Sequence, residues 1–136
     1  MPRDFSRTQR VADQLQRELA ELLRSPDRDL RGLGLQQVRE GAQGEAATRR
    51  FAELLPELPP ENQAALLQAL AERGDRTARP AILRGIQSSN NEVRVAALYA
   101  MGALGQSADV VLLAGAASSN AGPAQVAARQ ALLRLP

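Results

Sequence analysis

The chain has 136 residues, the length of one ordinary domain, and it contains neither cysteine nor histidine. That composition excludes disulfides, thiolate or imidazole metal sites, and Ser-His or Cys-His nucleophile pairs. All 17 basic residues are Arg against 15 acids, and a net charge of +2 does not by itself imply a nucleic-acid ligand. The apolar fraction is mostly Ala, Leu and Val, with only three aromatics, Phe5, Phe51 and Tyr99. Ala and Leu favour helix, and a core without large rings packs by close approach of small side chains. No apolar run approaches the roughly 18 residues of a membrane span. The opening Met1-Pro2-Arg3-Asp4 lacks the apolar stretch of a secretory signal, so a cytoplasmic location is the default expectation.

Taken in chain order, the apolar spacing predicts helices over 6–24, 27–40, 45–58, 60–73, 78–88, 91–104, 107–118 and 122–135. In the first, Val11, Leu15, Leu19, Leu22 and Leu23 form an apolar face. Asp, Asn or Pro stands where every second helix begins: Pro26-Asp27, Pro59-Pro60, Asn90-Asn91, and Asn120 to Pro123. These residues satisfy or dispense with the orphan N–H groups of a helix start. Gly41, Gly74 and Gly105 stand where second helices end, as C′ glycines do. Leu66, Leu67, Leu70 and Arg73 share one face, the Arg laying its alkyl stem along it. No segment alternates as a strand does.

The helix pairs repeat. Ala81-Ile82-Leu83-Arg84-Gly85 lies over Val111-Leu112-Leu113-Ala114-Gly115 at a shift of 30, and Val95-Ala96-Ala97 over Val126-Ala127-Ala128 at 31. Stepping back by 31 sets Ala65 to Leu70 under Ala96 to Met101. A total of 63 sets Asp29-Leu30-Arg31 under Glu92-Val93-Arg94, and Leu35 under Leu98. The chain therefore reads as four copies of one two-helix unit, over about 6–41, 45–75, 78–105 and 107–136. A lone pair cannot bury its apolar face, whereas stacked pairs can, so an all-α solenoid is expected. A closed bundle is the alternative, but it does not require loop signals that recur in register. Arg31 and Arg94, just past the caps, are expected to tie neighbouring repeats together through carboxylates.

The run Asn90-Asn91-Glu92-Val93-Arg94-Val95-Ala96-Ala97-Leu98-Tyr99-Ala100-Met101-Gly102-Ala103-Leu104-Gly105 resembles HEAT repeats, above all the short bacterial kind of phycobilisome-lyase-like proteins. Asp27 to Leu35 matches in part, and Ala71-Glu72-Arg73-Gly74-Asp75 keeps the ending. Residues 60–75 and the last copy depart from the motif, with Asn62-Gln63 and Ala124-Gln125 in place of Val-Arg. The resemblance spans roughly 25–136. It implies a right-handed α-solenoid of about four helix pairs and, as a class, protein binding. The stretch Pro2 to Leu23 is similar instead to the opening helix of ribosome-binding factor A, a family that matures the small ribosomal subunit through a KH-like α/β domain. The strands of that domain do not follow, and Pro26-Asp27-Arg28 only echoes the family's Asp-Pro-Arg. The join near Leu23 is expected to be a fusion of two unrelated pieces, natural or engineered, with the grafted helix serving as first helix of the first repeat. Such a chimera would have no evolved partner.

Little here can carry catalysis. The pairs Glu18 with Glu21, and Asp27 with Asp29, have other roles as solvated face and caps. Gly32-Leu33-Gly34 follows no strand and completes no phosphate loop. A non-catalytic interaction module without cofactor or metal is the expectation. Its candidate binding ridge is the inner face of the second helices, where Gln36, Gln68, Tyr99 and Gln130 hold equivalent positions. One turn on stand Glu40, Glu72, Ala103 and Arg134. Tyr99 is the aromatic anchor candidate, equally able to pack at a repeat junction. A second candidate is a basic ridge of Arg3, Arg10, Arg17 and Arg24, spaced by seven, with Arg7 beside them. It could meet RNA phosphates or lie as a solvated face balanced by Asp13, Glu18 and Glu21, and no aromatic is interleaved for base stacking. Residues 131–136 lack the polar cap of a terminal repeat, so self-association through the last helix, or a missing neighbour, is a further expectation.

Overall fold

The computed structural model describes the backbone of residues 2–135 and the side chains of residues 7–135. It contains eight α-helices among the described residues and no strand: α1 (Pro2–Arg24), α2 (Arg28–Glu40), α3 (Glu45–Ala52), α4 (Pro60–Arg73), α5 (Arg79–Ile86), α6 (Asn91–Leu104), α7 (Val110–Ser119) and α8 (Pro123–Arg134). Short 3₁₀ turns at Leu55–Glu57, Arg76–Ala78 and Ser107–Asp109 stand beside the first helices.

The caps follow the sequence chemistry. The Asp27 carboxylate accepts the Asp29 N–H at 2.8 Å, and the Asn90 amide oxygen accepts the Val93 N–H at 3.1 Å. Pro60 and Pro123 occupy first-turn positions where no N–H is needed. Gly74 closes α4 in the left-handed region, at φ 81. Gly41 and Gly105 do not share that conformation, contrary to the C′ pattern expected of all three. They are needed for a steric reason, because a Cβ on either would collide with a carbonyl of its own helix, Gln37 O or Met101 O. The helix expected over 45–58 stops at Ala52, since the ring of Pro56 clashes with the carbonyl four residues back and offers no N–H. The chain then turns, and Leu54 and Leu58 bury beneath it.

The second helices α2, α4, α6 and α8 stand side by side in one row, and α1, α5 and α7 each pack on the helix that follows. The shorter α3 rests on α4 and on the turn at 76–78. The architecture is an all-α solenoid. Its core lies between the two layers, around Leu66, Leu67, Leu70, Ile82, Leu98, Met101 and Leu113, all essentially without solvent contact. Small residues set the spacing of the row. A Cβ added at Gly102 on α6 would stand 2.8 Å from the Ala131 Cα of α8, so these helices meet backbone to backbone.

Polar side chains lock the loops. The Arg73 guanidinium donates to Val38 O at 3.0 Å and Gly44 O at 3.3 Å, also reaches Ala42 O, and lies 4.9 Å from the Phe51 ring centroid. Its Nε–H donates to the buried Thr48 hydroxyl at 2.8 Å, and that hydroxyl donates to Asp75 at 2.6 Å. Arg79 pairs with Asp109, which is only 3% exposed and also accepts the Gln106 N–H at 2.8 Å. Arg31 and Arg94 do not bridge repeats through carboxylates as the sequence suggested. Each bends back onto its own loop, Arg31 to Ser25 O and Pro26 O at 2.9 Å, Arg94 to Ser88 O at 2.9 Å and to the Asn91 side chain. Neither forms an ion pair among the described residues, and loop carbonyls and the Asn91 amide oxygen accept their N–H groups instead.

Candidate functional site

Two larger grooves and one charged ridge could meet a partner. The first groove, of about 470 Å³, runs across α4 and α6 towards α8. Its floor is Ala71, Ala96, Ala100 and Ala103, and its polar lining is Gln68, Glu72, Tyr99 and Arg134. Alanines are small enough to let a partner's backbone approach. Tyr99 is half-buried, with its ring against the core and its edge on the groove. The Gln68 amide donates to Glu72 at 3.2 Å. Glu72 also pairs with Arg39 from α2. Arg134 has no carboxylate partner among the described residues.

Four of the seven ridge residues read from the sequence, Gln68, Glu72, Tyr99 and Arg134, thus line one groove. The other three do not line it. Gln36 and Glu40 are exposed on α2, with the Gln36 amide 3.5 Å from Glu40, and Gln130 is exposed on α8. Sequence reasoning missed Arg39 and, of the alanine floor, Ala71, Ala96 and Ala100. Arg39 falls at the register position that holds Gly102 on α6, a row-facing position where a long charged side chain can only escape sideways towards Glu72.

The second groove, about 610 Å³ and largely apolar, lies between α1, α2 and α3. Leu15, Leu19, Leu22, Leu33 and Phe51 line it, with Glu18 and Gln37 at its edge. The apolar face read for α1 is therefore only half used. Leu19 and Leu23 are buried, but Leu15 is 59% exposed and Val11 is exposed too. The two helices touch where Gly34 meets Leu22 and Leu23, near the end of α1. No sequence signal distinguished the covered half of the stripe from the open half.

The basic ridge lies on α1. Arg7, Arg10, Arg17 and Arg24 are exposed there, whereas the Arg3 side chain lies outside the described residues. Asp13 beside them is engaged by Gln9 at 3.1 Å and by Arg50 at 3.4 Å. Among the described residues no three acids converge on a point that could hold a metal ion, and no helix is long and apolar enough to cross a membrane.

Two buried or capping acids have perturbed protonation. The hydrogen bond from Arg79, then the Gln106 N–H, holds the Asp109 carboxyl below its ordinary value despite burial. The Thr48 hydroxyl, followed by Thr77, does the same for Asp75. Both acids are structural ties between consecutive elements, and neither faces a groove.

Comparison with known proteins agrees with this architecture. The family model for HEAT repeats matches residues 48–133. Short stretches are similar to ribosome-binding factor A: 71% identity over 31 residues with the protein of Thioalkalivibrio sulfidiphilus, 23% of this chain and 24% of that one. With the Alkalilimnicola ehrlichii protein the identity is 62% over 40 residues, 29% of this chain and 30% of the relative. The chain thus spans between 24% and 30% of the length of these curated relatives. No solved structure matches it. With the family model covering well over half its length, the chain belongs to the HEAT-repeat proteins.

Proposed function

We propose that the chain is a non-catalytic, cytoplasmic protein-binding module of four helix pairs, with α1 as first helix of the first pair. It takes a partner segment in the groove lined by Gln68, Glu72, Tyr99 and Arg134. One observation carries the reading: these polar groups converge on a single alanine-floored groove of about 470 Å³ that no side chain of the described residues fills. A half-buried Tyr over small residues is the kind of anchor point where interface energy concentrates. Glu72 is neutralised by Arg39, so Arg134 leaves the groove with a positive bias and favours a partner with a carboxylate there.

The test is site-specific photo-crosslinking from position 99, with position 84 on the opposite layer as control. Position 99 should capture a partner that position 84 does not, and Tyr99→Ala should weaken its binding by more than tenfold. Equal capture at both positions, or an unchanged affinity of the Tyr99→Ala chain, sinks the groove as the binding face.

RNA contact through Arg7, Arg10, Arg17 and Arg24 is a second reading, supported by their exposure and by the similarity to ribosome-binding factor A. It requires a salt-dependent RNA affinity that Arg10→Gln with Arg17→Gln removes. Self-association through α8 is supported by the exposure of Val126 and Leu133 on that helix.

A further inference from the structure

At the joints between neighbouring second helices, one register position is small on two helices and charged on a third. Gly102 holds it on α6 and Ala71 on α4, whereas on α2 it is Arg39. Packing does not ask for a guanidinium there. Even one Cβ at Gly102 would stand 2.8 Å from the Ala131 Cα, so at this register a long side chain has to leave the joint. A partly buried charge costs free energy unless it is paired. Arg39 finds its pair outside the joint, where its Nε meets Glu72 Oε2 at the wall of the alanine-floored groove.

That contact completes Glu72. Its other oxygen, Oε1, accepts the Gln68 amide at 3.2 Å, so both carboxylate oxygens are engaged by donors of this chain. Glu72, Ala103 and Arg134 occupy one register position on α4, α6 and α8. All three line the groove, which sets a carboxylate and a guanidinium on opposite sides of Ala103. Left alone, these two charges would offset each other over the groove floor. With Arg39 on Glu72, the Arg134 guanidinium is left in excess. Arg39 brings about this balance without lining the groove itself.

We infer that Arg39 sets the charge selectivity of the groove. Acting through Glu72, it makes the groove a site for an acidic peptide segment, with a carboxylate over Ala103 towards Arg134 and small side chains on the alanine floor. The inference rests on the reading that this groove is the binding face, and it names what that face selects. Arg39 is a positioning residue, since it touches Glu72 and not the ligand. Its contribution lies in discrimination: a groove with an unmasked Glu72 would repel the carboxylate that Arg134 attracts.

The test selects a random library of twelve-residue peptides on the full chain. Peptides retained by the unaltered chain and lost on Tyr99→Ala are ligands of the groove. They should be enriched in Asp and Glu, and their affinity, read by fluorescence anisotropy, should fall about fivefold on Arg39→Gln. Arg39→Gln combined with Glu72→Gln should recover that affinity, because it removes the carboxylate that Arg39 masks. Arg39→Lys keeps the charge and should keep most of the affinity. Circular dichroism reports the fold of each variant, and a loss caused only by a disturbed joint would not be recovered by the second substitution. Groove ligands without acidic residues overturn the inference and leave the groove reading standing. So do acidic ligands that bind Arg39→Gln as tightly as the unaltered chain, or whose lost affinity the double variant fails to recover. A library that yields no Tyr99-dependent peptide overturns the inference and the groove reading together.

Discussion

The segment from α4 to α8 and the N-terminal end around α1 use the same element, an amphipathic helix, to different effect. Between α4 and α8 the apolar stripes are matched by small residues across the joint, and Leu66, Leu98 and Met101 lose all solvent contact. Around α1 the stripe is longer than the surface offered to it. Leu22 and Leu23 close on Gly34, while Leu15 stands exposed over a groove of about 610 Å³ that Leu19 and Leu22 also line. The family match follows the same division, beginning at residue 48, after α1 and α2. A helix carries its apolar face wherever it goes, but only a surface shaped in register with it can cover that face.

The sharpest way to break this comparison is a pair of leucine truncations. Leu98→Ala, in the closed joint, should destabilise the chain by about 2–5 kcal/mol, because it leaves a cavity that the row cannot collapse. Leu15→Ala, over the open groove, should stay within about 0.5 kcal/mol. Urea midpoints at constant slope measure both, and equal effects would mean that the two regions are equally packed. Gly102→Val tests the close approach itself. The added carbons meet the Ala131 backbone, and a loss of about 1–3 kcal/mol is expected. A neutral outcome would show that α6 and α8 can part at little cost.

The ties between elements contribute less than the closed joint, and their share depends on pH. Asp109 has a lowered pKa in the folded chain, so its stabilisation is complete above the ordinary carboxylate value of about 3.9 and fades as pH falls below it. Asp109→Asn should cost about 1–2 kcal/mol at neutral pH, discounted because Arg79 keeps partial access to solvent. Against the unaltered chain, that difference should shrink in acid. A gap that is constant from pH 7 to pH 3 would show that the carboxylate charge contributes nothing.

Much of this was legible in the residues. Helix starts could be read from Asp27, Asn90, Pro60 and Pro123 because capping is local chemistry, decided within one turn of chain. The stacking of pairs could be read because the apolar stripes recur at 31 residues, and a stripe that repeats must be covered repeatedly. Gln68, Glu72, Tyr99 and Arg134 line one groove for the same reason, as equivalent register positions share one side of the row. What escaped were contacts with partners far along the chain. Arg31 and Arg94 turned to their own loops, Arg73 spanned four groups around Thr48, and Arg79 found Asp109, because long flexible side chains choose among acceptors that only the folded backbone presents. The groove beneath α1 escaped for a related reason. Periodicity states that Leu15 and Leu19 share a face, but whether that face is covered depends on the distance to α2 and α3, which the packed helices alone decide.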